Sequence, residues 1–137
     1  MELSEAGQSA LREAGVATVY LHGSRVRGTA RPDSDADVAV LLRPGAGVLP
    51  LLRREDLAAR LAADFDGADV DLTVLDEAPL ELRARVIREG VVVFRDDEPR
   101  RVAFEVDTQS RWFDVEPWHT LQTQRYLERV AAEGLDG

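Results

Sequence analysis

The chain has 137 residues, 26 acidic against 17 basic, a net charge of −9 and no cysteine. Such an excess of acid repels nucleic acid phosphates as a whole and argues against a polynucleotide substrate. The lack of cysteine excludes disulfides, thiol catalysis and Cys-ligated zinc. An apolar fraction of 45% is ordinary for a globular protein, and the length suits one domain over residues 1–137. No apolar run approaches the length of a membrane span, and Met1 to Glu5 lack the basic start and apolar core of a signal peptide, so a cytoplasmic protein is expected. All basic residues are arginine, and Lys and Asn are absent, which points to coding bias and weakens any single Arg as evidence of recognition.

In chain order, Leu3, Ala6, Ala10, Leu11 and Ala14 share a helical face, with Ser4 as N-cap and Gly15 as stop. Val16 to Leu21 is an apolar strand, and Gly23-Ser24 turns it into a short helix or turn over 24–29. A glycine there lets backbone approach a ligand, and a serine beside it offers a hydroxyl and an N–H where phosphate binds readily. Asp35 to Leu42 is a second strand. Side chains at i and i+2 face the same way in a strand, so Asp35 and Asp37 point to one place. Two hard carboxylates beside a phosphate cradle suit Mg²⁺, which completes its shell with substrate phosphates. A calcium loop opening at Asp33 is excluded, because its sixth and twelfth positions are Val38 and Pro44 rather than Gly and Glu.

Arg43 to Gly47 reads as a loop, and Leu51, Leu57, Leu61 and Phe65 as a helical face ended by Asp66-Gly67. In the third strand, 68–75, Val70, Leu72 and Val74 alternate with Asp69, Asp71 and Thr73. A helix over 79–88 and a strand over 91–94 follow. A helix from Arg100 is expected to break near 114–116, because Pro117 disfavours helical geometry just before it, and a last helix then carries Trp118, Leu121 and Leu127. The order predicts an α/β (α+β) fold, a small mixed sheet with flanking helices.

The sequence Gly23-Ser24, ten residues, Asp35-x-Asp37 between two apolar runs resembles the signature of the nucleotidyltransferase superfamily that includes DNA polymerase β. Arg27-Gly28 and Pro32-Asp33-Ser34-Asp35 narrow the resemblance to the minimal nucleotidyltransferases, bacterial antitoxins paired with HEPN-domain RNase toxins. Val26 stands where a small residue is usual. The resemblance covers residues 10–95 well and the C-terminal helices, 99–134, loosely. It implies a polymerase β-like core with Asp35, Asp37 and Asp71 as catalytic, metal-holding carboxylates, Asp69 being the alternative to Asp71. Gly23, Ser24 and Arg25 would bind the nucleotide.

Two Mg²⁺ ions about 4 Å apart stabilise attacking and leaving oxygens in such sites. The implied activity is protein adenylylation: AMP passes from ATP to a tyrosine of a cognate HEPN toxin, with which the chain forms a hetero-oligomer. A non-catalytic antitoxin acting by contact and a transferase for a small molecule such as an aminoglycoside are the alternatives. The aminoglycoside enzymes usually add a larger helical domain. His22 and His119 read as packed, exposed or interface residues. Phe104, Trp112, Phe113, Trp118 and Tyr126 enrich the C-terminal third in aromatics, the interface anchors on which a basic toxin would dock.

Overall fold

The computed structural model describes residues 1–31 and 33–133. Pro32 of the Pro-Asp-Ser-Asp segment and residues 134–137 lie outside them. Helix α1, Glu5–Glu13, starts at the expected N-cap: Gly7 N–H donates to Ser4 Oγ at 3.1 Å. Ser4 is itself held, its N–H and hydroxyl both donating to the Asp64 carboxylate. Strand β1 is Val16–His22, α2 Ser24–Arg27 and β2 Ala36–Leu42. Helix α3, Leu51–Leu61, tightens into a 3-10 turn over Ala62–Phe65, and Asp66 takes the left-handed position, with φ 56°. Strand β3 is Val70–Val74, α4 Leu80–Glu89, β4 Val91–Arg95 and α5 Glu98–Glu133.

The four strands form one mixed sheet in the order β3-β2-β1-β4. β1 is antiparallel to β2 and β4, and β2 is parallel to β3. A parallel pair needs a long crossover, which α3 supplies. Alternation sends β2's side chains to two different cores. Val38, Val40 and Leu42 pack with Leu11, Leu57, Leu61 and Phe65 under α1 and α3. Ala39 and Leu41 pack with Tyr20, Leu75, Val86 and Phe104 under α4 and α5. The sheet is covered on both faces over its middle.

Polar clamps fix the α4–α5 side. Tyr20 is buried and its hydroxyl donates to Glu105 at 2.8 Å. Burial first, and that bond second, hold the phenol protonated well above its ordinary range. At the far end of β2 and β3, Asp76 accepts from Leu42 N–H at 3.0 Å and Arg100 at 3.1 Å, while Arg83 donates to the Asp76 carbonyl.

The expected break before Pro117 does not occur: α5 is one 36-residue helix with Pro117 inside it. A proline in a helix forfeits one N–H bond and crowds the preceding turn. Here both Pro117 and Phe113, the residue whose carbonyl loses its donor, are exposed, so water can meet that carbonyl. Among the described residues no helix is long and apolar enough to cross a membrane.

Candidate active site

β1 ends at His22, and the chain turns at Gly23 with φ 76° and ψ −154°, a conformation that side chains bar to most residues. Gly23 O accepts from Val26 and Arg27 N–H, both at 3.2 Å, which makes Gly23 the N-cap of α2. The glycine is needed twice over. A Cβ there would collide with Asp37 Oδ2 and lie 2.8 Å from Asp37 Cγ. The backbone of the turn therefore rests directly on the Asp37 carboxylate.

Register then assembles a row across three strands. His22 pairs with Asp37 in the antiparallel β1–β2 ladder, and Asp37 with Asp71 in the parallel β2–β3 ladder. All three fall on the face of the sheet that bears α4 and α5, as the packing of Tyr20 and Ala39 on that face and of Val70 and Leu72 on the other requires. They lie at the end of the sheet where β1 gives way to α2. Asp35 sits one residue before β2 and is exposed. The pairing of Ala36 with Val70, and the 2.8 Å bond from Ala36 N–H to Asp69 O, set Asp35 level with Asp69 one row further out. Of the two aspartates the sequence offers on the third strand, Asp71 is the one beside Asp37.

Arg25 has a bracing part. Its Nη2 donates to Ser34 O at 3.0 Å, tying α2 to the segment that carries Asp35, and its Nε is buried without a partner among the described residues. Ser34 Oγ accepts from Arg31 N–H at 2.8 Å in the same segment. Ser24, the first residue of α2, is partly exposed.

His22 belongs to the row, which the sequence reading did not anticipate. Burial lowers its pKa below the ordinary 6.5, against the opposing pull of Asp37 and Asp71, and its Nε2 is buried without a partner among the described residues. The available signal was its parity with Tyr20, but parity becomes a location only once the strand partners are known.

Mg²⁺ is commonly held by one or two carboxylates and substrate phosphates rather than by an all-protein cage. Among the described residues no group of three or more His, Cys, Asp or Glu side chains is gathered to hold a metal. The pair Asp37 and Asp71, beside a backbone cradle at Gly23, fits the Mg²⁺–phosphate arrangement.

Residues 8–99 match the family described as polymerase beta, nucleotidyltransferase. The chain belongs to that family. It is 39% identical over 83 residues to the protein adenylyltransferase MntA of Shewanella oneidensis. That alignment covers 58% of this chain and 57% of MntA, so the chain spans a little over half the length of this curated relative. The fold is similar to that of a chain of a toxin–antitoxin complex solved with AMP-PNP, with TM-score 0.69, 29% identity and coverage of 87% of this chain and 94% of that one. It is also similar to a chain of the complex of tri-AMPylated Shewanella oneidensis HEPN toxin with MNT antitoxin, with TM-score 0.65, 26% identity and coverage of 87% and 91%. The family model and both structures agree with the sheet, the flanking helices and the nucleotidyltransferase architecture described above.

Proposed function

We propose that this chain is a protein adenylyltransferase that acts as an antitoxin, transferring AMP from ATP to a tyrosine hydroxyl of a cognate HEPN RNase toxin. The observation that carries the reading is Asp37, in register with Asp71 and pressed against the Gly23 backbone at the mouth of α2. The similarity to MntA and to the AMPylated complex supplies the class of acceptor.

In this reading Gly23 and Ser24 receive the outer phosphates through backbone N–H groups and the Ser24 hydroxyl. Arg25 keeps the segment bearing Asp35 in place through Ser34. Asp37 and Asp71, with Asp35 beside them, would hold Mg²⁺. When bound, Mg²⁺ neutralises triphosphate charge and positions the reacting oxygens. The tyrosine oxygen attacks the α-phosphorus, the bond to pyrophosphate breaks, and Asp71, the exposed member of the row, accepts the hydroxyl proton. His22, kept neutral by burial, adds no charge to the row at neutral pH.

The test is mass spectrometry of the cognate HEPN toxin, incubated with this protein, ATP and Mg²⁺. An AMP adduct on a tyrosine is expected, absent with Asp71→Asn and with Asp35→Asn. A toxin silenced without an adduct would overturn the catalytic reading in favour of inhibition by contact.

A further inference from the structure

α5 has two apolar faces and the sheet covers only part of one. On the covered side Phe104 and Thr108 are buried and Trp112 is half buried. Further along that side the helix outruns the sheet, and Val115 and Tyr126 stand 44% and 56% exposed. At about 100° per residue, Val102, Val106, Phe113 and Leu127 fall on a second stripe, roughly a third of a turn away. Their exposures are 47%, 63%, 78% and 59%. The positions between them along its midline are Gln109, Thr120 and Gln124, with Pro117 and Glu116 at its two edges, so no charge falls on the midline from 102 to 127. The stripe runs for about 38 Å at 1.5 Å per residue. Four large apolar side chains stand open along it with uncharged polar residues between them, the kind of surface that marks an interaction site.

The borders of the stripe indicate what covers it. Glu98, Glu116 and Glu128 lie about 50–70° from its centre, Glu98 paired with Arg101 at 2.8 Å, whereas every arginine of α5 lies about 110° or more away. A second copy of the chain would bring acidic borders together, and like charges flanking a helical seam oppose pairing. A net charge of −9 adds to that repulsion. The fitting occupant is a different protein, with an apolar ridge bordered by basic side chains.

The helix also lies on the carboxylate side of the sheet. His119 Nε2 lies 3.2 Å from Glu81 on α4, and Glu81 also pairs with Arg85 at 3.6 Å. α4 and α5 cover the face of the sheet on which Asp37 and Asp71 project, so a protein seated on α5 stands on the side of the carboxylates.

We propose that the uncharged stripe of α5 from Val102 to Leu127 is the docking face for the toxin, engaged by a toxin helix with an apolar ridge and basic borders. This rests on the reading above that a HEPN toxin is the partner. Helix-on-helix recognition of this kind reads anchors spaced three, four and seven residues apart, and Val102, Val106 and Phe113 are spaced four and seven.

The test compares wild type with Val106→Glu/Phe113→Glu and with Glu116→Arg/Glu128→Arg. Binding to the cognate HEPN toxin is measured by calorimetry, and circular dichroism reports the fold. All four positions are exposed, so the fold should be retained. The first variant is expected to weaken binding on the order of 100-fold, because buried anchors dominate interface energy. The second should weaken it about tenfold at low salt, with the deficit shrinking as salt rises. Wild-type binding by both variants, with the toxin still adenylylated, would overturn the docking face and leave the proposed activity standing. A wild-type chain that neither binds nor modifies the HEPN protein would overturn both. A wild-type chain that dimerises in the ultracentrifuge, and becomes monomeric with Val106→Glu/Phe113→Glu while toxin binding is unchanged, would make the stripe a self-association face and refute the proposal.

Discussion

Replacing Gly23 by alanine tests the contact on which the site is built. Two penalties add. At φ 76° and ψ −154° an L residue occupies a region essentially reserved for glycine, at roughly 1–3 kcal/mol. Its Cβ would also overlap Asp37 Oδ2 and crowd Asp37 Cγ at 2.8 Å, and forced overpacking costs about 1–3 kcal/mol. The combined cost, roughly 2–6 kcal/mol, is a large part of the 5–15 kcal/mol that holds a domain of this kind together. Asp37 is only half buried, so the cheapest relief is rotation of its carboxylate away from the turn. Gly23→Ala should therefore lower stability and abolish transfer together.

The two penalties separate in a double-mutant cycle with Asp37→Ala. That change removes Oδ2 and Cγ and leaves only the 3.1 Å contact with the residue's Cβ. In the Asp37→Ala background the alanine at 23 should cost only its backbone strain. The coupling, from urea unfolding of the four proteins, should be about 1–3 kcal/mol. Additivity within about 0.5 kcal/mol would refute the claim that the turn rests on the Asp37 carboxylate.

His22 carries a pH signature. Its pKa is lowered in the fold, so as pH falls below 6.5 the unfolded chain takes up the proton first and stability declines through the window from 6.5 down to the folded value, levelling below it. His22→Gln should remove that part of the acid slope in urea midpoints measured across the window, and an unchanged slope would show that the imidazole is not held in its neutral form. Mg²⁺ and ATP together should raise the melting temperature by more than the sum of their separate effects, because each completes the other's binding site at Asp37, Asp71 and Gly23. Strictly additive shifts in a thermal scan would count against a shared site.

Much of this protein is written in short-range pattern. Ser4 as N-cap, the apolar run into Gly23 and the alternation of Val70, Leu72 and Val74 each depend on neighbours a few residues apart, and each appears where the sequence puts it. Gly23, Ser24, Asp35 and Asp37 are legible for the same reason, since one turn and one strand fix their spacing. Strand ends are less so: β2 begins at Ala36 and leaves Asp35 just outside it.

What joins distant segments had to wait for the tertiary structure. Alternation alone puts Asp69 and Asp71 on one face, and only the β2–β3 register sets Asp71 beside Asp37. His22 enters the site through β1–β2 pairing, which no window of sequence around it encodes. The local rule for Pro117 expected a break, yet α5 runs through it, because a single lost helical bond at an exposed position costs less than the rest of a 36-residue helix returns. Local chemistry marked the candidate residues, and strand pairing and helix packing decided which of them meet.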